Sequence, residues 1–511
     1  MPSSRIVVTC LLASLLGPAE PFSLSRFPPP ANLGTSGRRG RRRPPGLAAA
    51  REPDEGRNTW RSSIRTPTAP TNTRQVVLDL CEEATAGGRP DGRRGERGLA
   101  FLSVSQAYAA DFRDVVGLAH ETLGDDYTLL SVVGGGVVGD GSESDDPRAP
   151  AMSLLAGVLP AGAGVEEFCF GPGGEEVPPR DSPAWSALGR GQDVPSYVVL
   201  ADPFGRVQEV VDGLDSSGNG RGEGSGVVAG GISCPVFGDE GPTVGIGGRA
   251  QPRGSVVGVG LSGPAGLQAV VAQGCRPVGG PYEVTRAGGN FIEELDGRPA
   301  AEVLGEVGAD GSDLSRKDRE SIKKYGIMVG LATPGAKDVR PGDYLVRQIL
   351  GFRAPSVMVG AEVRTGDLLK FHVRDPDAAL RDMEGMVGRA RTERMFSPSP
   401  GRPLAVLQIS CVARGRSLFG RPNVDIGSVR GLLPEGDGGG GGEGSRPAIG
   451  GFYANGEIGP TGVAGVGIGP RRTHMHGFTT VACVISDFGS SPASQGLEAN
   501  AEKSGFENDS A

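Results

Sequence analysis

Residues 99–133 read LAFLSVSQAYAADFRDVVGLAHETLGDDYTLLSVV and contain two apolar runs separated by a segment with helical spacing. The first run, 99–104, is almost wholly apolar, as is typical of a buried strand. Between 109 and 124 the apolar side chains recur every three or four residues on one helical face, and 127–133 is a second β run. Strand, helix and strand in this order predict a βαβ unit and the α/β class.

The rest of the chain continues this mixture of strands and helices. At 511 residues it is too long for one ordinary domain. We therefore expect an α/β (α+β) fold with a two-domain body of mixed β-sheets covered by helices. The predicted parts are a presequence at 1–65, an N-terminal domain at 66–272, a C-terminal domain at 273–488 and a disordered tail at 489–511.

Further elements follow from local patterns. Helices are predicted at 75–84 and near 299–307, and a third is expected to start at Asp375-Pro376, because aspartate caps a helix and proline fits its first turn. Apolar runs predict strands at 152–158, 197–200, 226–232, 256–261, 269–273, 345–350, 368–373, 404–411 and 479–485. Glycine-rich or acidic composition predicts surface loops or insertions at 139–149, 213–225, 236–254 and 435–445.

The first 65 residues have the composition of a targeting segment. Arg5 precedes an apolar run at 6–17, which is shorter than the roughly 18–20 residues of a membrane span and resembles a signal peptide. Residues 22–65 are rich in Arg, Ser and Pro, and Pro21-Phe22-Ser23 resembles the signal/transit junction of algae with secondary plastids. We expect import into the plastid stroma and no stable membrane insertion afterwards. The alternative is a secreted protein with a disordered basic linker.

Charge and cysteine content exclude several classes of partner. Residues 1–65 carry 11 basic and 4 acidic groups, so the total charge of −8 leaves −15 on the remainder. A body this acidic is a poor match for nucleic acid or an anionic membrane. The seven cysteines contain no Cys-x-x-Cys pair, which argues against a disulfide framework or a zinc site and fits a reducing compartment.

A glycine pair ends a β run three times, at Gly134-Gly135-Gly136, Gly230-Gly231 and Gly450-Gly451. Glycine allows positive φ and close approach of a ligand or of neighbouring backbone. The three turns therefore either line one shared cleft or are tight turns with no common role.

Several other motifs lack the context that their chemistry needs. With 87 glycines in the chain, Gly-x-Gly-x-x-Gly matches at 134–139 and 258–263 arise easily by chance. The first precedes an acidic loop that would repel phosphate, so no nucleotide cofactor is expected. Residues 215–226 resemble a calcium loop but end in Gly226, where a bidentate glutamate is required.

Two constellations of reactive residue types leave alternatives open. His474 and His476 lie two apart, as a metal pair on a strand would, but no third ligand is spaced near them. Cys411 and His476, with Asp425 or Glu457, supply the residue types of a thiol nucleophile. A cysteine in an apolar strand is more often core packing, so we assign no catalytic residue and no metal.

Several segments, in the same order, resemble the FIST family over about residues 97–488. They are 135–141 (GGVVGDG), 153–156 (SLLA), 202–204 (DPF), 273–277 (QGCRP), 371–375 (FHVRD), 410–416 (SCVARGR), 418–420 (LFG), 450–460 (GGFYANGEIGP) and 474–480 (HMHGFTT). The resemblance implies a sensory domain of signalling proteins that binds small ligands, with amino acids proposed among them. Eukaryotic members also occur attached to an F-box, but no Leu-Pro-rich F-box helices precede the match here, so we expect a stand-alone member.

The resemblance also points to a site. Its densest signature implies that Tyr453, Asn455, Glu457 and His476 contact the ligand. An amino acid or other small carboxylate fits this composition, because glycine-turn amides and arginine bind anions while Asn455 and Glu457 accept from an amine. The remaining candidates are Cys411, Gly135, Gly136, Arg276 and Arg414. For each arginine the alternative is a structural salt bridge.

The leading hypothesis is a ligand-binding sensor whose protein partner is unknown and which needs no cofactor. One alternative is a protein-interaction scaffold related to the F-box-associated members. The other is an uncharacterised enzyme that uses Cys411 and His476.

Overall fold

The computed structural model describes residues 58–68, 72–188, 196–217, 226–309, 314–333, 344–397, 400–433, 448–465 and 472–489. The predicted signal peptide, the insertion at 435–445 and almost all of the predicted tail lie outside the described residues.

The strands of the first half of the chain are β1 (Arg61–Arg65), β2 (Gly98–Ser105), β3 (Tyr127–Gly134), β4 (Val137–Gly139), β5 (Ser142–Ser144), β6 (Met152–Val158), β7 (Gly164–Phe170), β8 (Ser196–Ala201), β9 (Val228–Ile232), β10 (Val244–Ile246), β11 (Arg249–Gln251), β12 (Val256–Ser262) and β13 (Ala265–Gln273). Those of the second half are β14 (Cys275–Gly288), β15 (Phe291–Leu295), β16 (Arg298–Pro299), β17 (Met328–Ala332), β18 (Tyr344–Arg353), β19 (Ser356–Val359), β20 (Leu368–Arg374), β21 (Arg402–Cys411), β22 (Ala448–Ala454), β23 (Gly456–Gly459), β24 (Val463–Gly465), β25 (His474–His476) and β26 (Thr479–Asp487).

The α-helices in the described part of the chain are α1 (Thr73–Ala84), α2 (Phe112–Leu123), α3 (Ala184–Ala187), α4 (Val207–Ser217), α5 (Ala300–Gly308), α6 (Arg316–Tyr325), α7 (Pro376–Phe396), α8 (Gly415–Phe419) and α9 (Val424–Val429). The expected cap of α7 is present, since the Asp375 carboxylate accepts from the backbone N–H groups of Asp377 and Ala378. The α/β architecture and the predicted βαβ unit, β2-α2-β3, are confirmed.

Three sheets repeat one design. The first has the order β1-β6-β2-β3-β10-β11, the second β7-β12-β8-β9-β23-β25, and the third β13-β26-β21-β22-β4-β5, with β24 added beside β13. In each, a parallel pair (β2 and β3, β8 and β9, β21 and β22) is flanked by an antiparallel strand. The chain runs through each repeat in the same order: outer strand, first parallel strand, helical crossover, second parallel strand, hairpin strands and antiparallel strand.

The hairpin strands of each repeat pair with a different repeat. The β10–β11 hairpin of the second repeat extends the first sheet through β3. The pair β23 and β25 of the third repeat extends the second sheet through β9. The β4–β5 hairpin of the first repeat extends the third sheet through β22, so the exchange closes into a ring. We call these three sheets and their helices the three-sheet body.

Side-chain alternation along the strands explains how the three-sheet body packs. Leu99 and Phe101 of β2 face a core shared by all three sheets, whereas Ala100 and Leu102 face outward onto α1 and α2. The outer face of the second sheet is covered by α3 and α4, and that of the third by α7 and α9. The confirmed covering by helices thus follows from apolar residues on both faces of each strand.

The second parallel strands meet at their carboxyl ends, and of the three glycine clusters only the first lies at such an end, since Gly230-Gly231 and Gly450-Gly451 lie within β9 and β22. The chain after each strand donates a backbone hydrogen bond to the next strand of the ring: Gly135 N to Tyr453 O (2.8 Å), Asn455 N to Ile232 O (2.9 Å) and Cys234 N to Val133 O (2.8 Å). Glycine is required by protein contacts here. A Cβ on Gly136 would lie 2.3 Å from the Ser144 carbonyl oxygen, and one on Gly451, with φ 149°, 1.8 Å from that of Gln408.

Between β13 and β21 the chain leaves the third sheet and forms a closed barrel. Its strands follow the order β14-β20-β17-β18-β19-β15, and the long β14 closes the ring by pairing with both β20 and β15. The barrel core includes the apolar face of α5, with Ala300, Val303, Leu304 and Val307. The predicted division at residue 273 therefore falls where β13 gives way to the barrel, and β21 to β26 return to the three-sheet body.

Two expectations about disorder and loops are wrong. The ordered body reaches back at least to Asn58, because β1 pairs with β6 and the buried Trp60 indole donates to the Val158 carbonyl. The stretches 139–149 and 236–254, expected to be surface loops, contain β5, β10 and β11. These strands are only three residues long, too short for an apolar period, and the hairpins to which they belong join sheets of other repeats.

Candidate functional site

A cleft of about 570 Å³ opens between the barrel side and the three-sheet body. Pockets of this size accommodate small molecules. Its lining from the barrel and α6 is Lys324, Tyr325, Met328, Gln348 and Arg374, and its lining from the three-sheet body is Val412, Ala413, Arg416, Ser417 and Phe478.

The three-sheet body contributes the segment that follows the carboxyl end of β21, the first strand of a parallel pair. In open α/β sheets, ligands bind at such ends. Here the chain turns directly into α8 through Gly415, whose φ is 56°. A Cβ at this position would lie 2.4 Å from an Asp145 carboxylate oxygen, so the tight turn requires glycine.

Arg374, at the end of β20, is the central cation of the cleft. It is 8% exposed, and its guanidinium lies 4.0 Å over the Tyr325 ring and donates to the carbonyl oxygen of Ala413. Within the described residues it has no carboxylate partner, and burial lowers its pKa. The guanidinium also donates to the Ser417 hydroxyl at 3.5 Å. A buried guanidinium that is compensated only by neutral groups leaves a binding position for an anion.

Two further cations stand at the rim. The Lys324 ammonium lies 4.7 Å over the Tyr325 ring, and the Tyr325 hydroxyl donates to the Ser417 carbonyl oxygen at 2.9 Å. Arg416 is largely exposed and forms an ion pair with Asp145 at 3.2 Å. The positive groups thus surround an opening whose lining contains no acidic side chain among the described residues.

Gln348, on β18, adds an uncharged polar group. Its Oε1 atom is buried and has no hydrogen-bond partner within the described part of the chain. Such an acceptor costs free energy until it receives a hydrogen bond. The cleft therefore offers a ligand several cationic donors and, in Gln348 Oε1, an acceptor without a partner in the described chain.

The floor of the cleft is apolar. It belongs to a buried cluster to which the barrel contributes Cys275, Met328 and Val346, and the three-sheet body Cys411, Ala413 and Phe478. Phe478 has a φ of 65°, a conformation that phenylalanine rarely adopts. The backbone on this side is therefore held in an unusual shape next to the cleft.

Among the predicted residues, Cys411 and Arg414 lie just behind this floor. Cys411 is fully buried, and burial together with the nearby Glu457 carboxylate raises the pKa of its thiol well above the usual value. Arg414 is 1% exposed and forms a bidentate pair with the Asp425 carboxylate at 2.8 and 2.7 Å. Of the two roles considered for the arginines, ligand contact and a structural salt bridge, Arg414 therefore has the salt bridge.

Glu457 and His476 are brought together as directly opposed residues of β23 and β25. Glu457 is fully buried, its Oε2 accepts from the backbone N–H and the hydroxyl of Thr479 (3.1 and 2.6 Å), and burial raises its pKa to about 8. The His476 Nε2 lies 3.0 Å from the Gly459 carbonyl oxygen, and burial lowers its pKa to about 3.

The other predicted residues divide into two groups. Tyr453, Asn455, Gly135 and Gly136 are buried at the junction of the three sheets. Arg276 lies apart from this group, at the start of β14, where it pairs with Asp318 and Asp375. None of the nine predicted residues belongs to the lining described above.

Sequence analysis did not select the residues that line the cleft, although some of them lie in segments that resemble the FIST family. Arg374, Arg416 and Phe478 lie inside the segments 371–375, 410–416 and 474–480, which carried the family resemblance. Lys324 and Gln348 had no such signal. Their role depends on the barrel, which brings them to the three-sheet body.

A set of metal ligands and a membrane-spanning helix are both absent from the described ranges. No group of three or more His, Cys, Asp or Glu side chains there is arranged to hold a metal ion. Nor does any helix in those ranges combine the length and apolarity needed to cross a bilayer.

Comparison with known proteins identifies the family. Residues 98–298 match the FIST N domain and residues 300–460 match the FIST C domain, so the chain belongs to the FIST family. FIST domains are regarded as sensory modules that bind small ligands in signalling.

The relatives are themselves uncharacterised. One from Mycobacterium bovis is 36% identical over 240 residues, which cover 45% of this chain and 53% of the relative. The chain thus spans about half the length of this relative. Another, from Mycobacterium tuberculosis, is 29% identical over 428 residues, or 81% of this chain and 98% of the relative.

Proposed function

We propose that this protein is a sensor that binds a small carboxylate, such as an amino acid, in the cleft between the barrel and the three-sheet body. The observation that carries the proposal is the buried Arg374 guanidinium, which faces the cleft without a carboxylate partner in the described chain. Keeping a cation out of water costs free energy, and a bound anion offsets that cost.

The form of the cleft supports a receptor. Arginine can bind a carboxylate through two parallel hydrogen bonds, and Lys324 and Arg416 add positive charge at the rim. A ligand in the cleft would contact β18 and β20 of the barrel and the segment after β21 of the three-sheet body. Ligand binding therefore favours one relative position of the two, which is how a binding event becomes a signal.

We propose a supporting role for the predicted residues behind the floor. Cys411, Arg414, Glu457 and His476 hold the wall of the cleft through buried hydrogen bonds and ion pairs, rather than meeting the ligand directly. The protonation states of Cys411 and His476 favour a role in ligand binding over a role in catalysis. Nucleophilic catalysis by Cys411 needs a thiolate and a basic partner, whereas burial disfavours the Cys411 thiolate and lowers the pKa of His476 to about 3.

The test is a thermal-shift screen of the full chain against amino acids and small carboxylates. A ligand at 100 times its dissociation constant adds about 2.7 kcal/mol of stability. We expect Arg374→Gln to abolish the shift of the best compound, and Arg421→Gln, at an exposed arginine outside the lining, to preserve it.

Two results would count against the proposal. One is the absence of any shift across the panel, and the other is a shift that survives in a folded Arg374→Gln protein. If the Glu457→Gln variant keeps the thermal shift of the best compound, Glu457 holds the wall of the cleft without touching the ligand. If the variant loses the shift, Glu457 contacts the ligand.

We also propose that the N-terminal residues direct the protein to a plastid, supported by their apolar run, basic composition and near absence of acidic groups before Glu52. Residues 1–57 fused to a fluorescent protein should accumulate inside the plastids of an alga with secondary plastids. Fluorescence in the medium would instead support the secreted alternative.

A further inference from the structure

We infer that the ligand of this cleft is a small dianion that also carries a hydroxyl or N–H donor, such as a hydroxydicarboxylate or a phosphate ester, rather than a net-neutral amino acid. This inference rests on the proposed function, because it concerns the same cleft. It follows from two features of the lining: cations that have no carboxylate partner, and a buried amide oxygen that has no hydrogen-bond donor.

Three cations line the cleft, and only one is neutralised. Arg416 pairs with Asp145, whereas neither Arg374 nor Lys324 has a carboxylate partner in the part of the chain that the structure describes. Both instead lie over the Tyr325 ring, an interaction that leaves their charge in place. Two positive charges therefore remain to be matched, one buried and one at the rim.

The groups behind the lining do not supply the missing negative charge. The charge of Arg414 is matched by Asp425. Glu457 holds a proton near neutral pH, because burial raises its pKa to about 8. The thiols of Cys275 and Cys411 near Arg374 are neutral, since burial raises their pKa as well. The electrostatic field at the cleft is therefore that of the unmatched cations.

A zwitterionic amino acid fits this field poorly. Its carboxylate would bind Arg374, but its ammonium would lie among the remaining cations and would meet no carboxylate of the lining, only neutral acceptors such as Gln348 Oε1. Like charges this close repel. A dianion meets both unmatched cations, and its hydroxyl or N–H group supplies the hydrogen bond that Gln348 Oε1 lacks.

Matched ligands test the charge class. The full chain is titrated by calorimetry at pH 7.5 with L-malate and L-lactate, which share a hydroxyl but differ by one carboxylate, and with L-alanine. We expect at least about tenfold tighter binding of L-malate than of L-lactate or L-alanine, because the second carboxylate meets an unmatched cation. Glycerol 3-phosphate tests the phosphate ester against the dicarboxylate, and tight binding of either compound supports the dianion class.

Two variants assign the contacts. Lys324→Gln should remove most of the preference for L-malate over L-lactate, whereas Lys323→Gln, at the exposed neighbour outside the lining, should leave it unchanged. Gln348→Met should abolish the preference for L-malate over succinate, which lacks the hydroxyl. Both variants change partly or fully accessible side chains, and thermal unfolding verifies that they fold.

The outcomes separate the inference from the proposed function. If L-alanine or L-lactate binds as tightly as L-malate, and Arg374→Gln abolishes binding, the carboxylate sensor stands and the dianion class is wrong. Equal effects of Lys324→Gln and Lys323→Gln would likewise overturn the role of Lys324. If none of these compounds binds and the amino-acid screen is also silent, both ideas fail.

Discussion

Glu457 is a fully buried carboxyl group whose pKa is raised from 4.5 to about 8. Between these two values the folded protein holds a proton that the unfolded chain releases. The contribution of Glu457 to stability is therefore fully present below about pH 4.5 and is lost as the pH rises through about 8.

Glu457→Gln should remove this dependence. The amide cannot ionise, and its oxygen can still accept from Thr479. We expect the difference in free energy of unfolding between variant and wild type to move in favour of the variant by a few kcal/mol between pH 5 and 9, since one pKa unit corresponds to about 1.4 kcal/mol. Urea unfolding at several pH values measures this difference, and a pH-independent difference would contradict the assignment.

The buried pair of Arg414 and Asp425 gives a second prediction for single residues. Removing one partner leaves a buried charge unmatched, so Arg414→Met should cost roughly 3–5 kcal/mol of stability. The double variant Arg414→Met/Asp425→Leu should be more stable than Arg414→Met alone, because no unpaired charge remains. Additive losses in this double-mutant cycle would show that the two side chains are not coupled.

How far the site was predictable varies from residue to residue. Arg374, Arg416 and Phe478 lie in segments that the sequence singled out, but the prediction favoured Tyr453, Asn455 and Glu457 of the segment 450–460, which are buried in the structure. A family signature contains both the buried residues that maintain the structure of a site and the residues that line it. Burial separates the two groups, and it depends on contacts between distant parts of the chain.

At the scale of elements, the strand β9 has no room for a side chain at Gly230. A Cβ on Gly230 would lie 1.8 Å from the Val199 carbonyl oxygen of the neighbouring parallel strand β8. Gly117 in α2 has no atom within 4 Å of the corresponding position. A side chain is therefore excluded at Gly230 in the strand but can be accommodated at Gly117 in the helix.

We therefore expect Gly230→Ala to cost about 1–3 kcal/mol or more of stability, because a buried strand must shift to admit the methyl group. The matched change Gly117→Ala should be neutral or should stabilise the protein by up to about 1 kcal/mol, because alanine favours a helix. Chemical unfolding of both variants compares them. Equal effects would mean that the close approach of β8 and β9 is absent in solution.

The elements that sequence analysis found are those with a strong local pattern. The helix α2 and the long strands β2, β3, β21 and β26 have continuous or periodic apolar residues, and they lie where they were expected. The hairpin strands have no such pattern. Val137 of β4 pairs with Phe452, more than 300 positions away, and nothing in the residues around Val137 encodes that partner.

At the scale of the whole molecule, the exchange of hairpins ties the two ends of the chain together. The third sheet needs β4 and β5 from the first repeat, and β13 pairs with β26 over nine positions. A fragment that ends at residue 272 would retain the strands of the first sheet but would lack β23 and β25 of the second sheet and most of the third.

We predict that residues 58–272 produced alone do not give a cooperatively folded protein, and that co-expression with residues 273–489 restores a soluble complex. Unfolding followed by circular dichroism, together with size-exclusion chromatography, provides the readout. A cooperative thermal transition from the first fragment alone would contradict the structural dependence described above.

The position of the barrel has a consequence for how such proteins diversify. The chain enters the barrel at Cys275 and leaves it at Arg374, and these two residues are directly opposed in the antiparallel pair of β14 and β20, so their Cα atoms lie only about 5 Å apart. An inserted module with closely spaced ends can be replaced during evolution without rebuilding its host. Descendants of one ancestral scaffold can thus acquire new chemical preferences by exchanging this insert, while the part that reports binding is inherited unchanged.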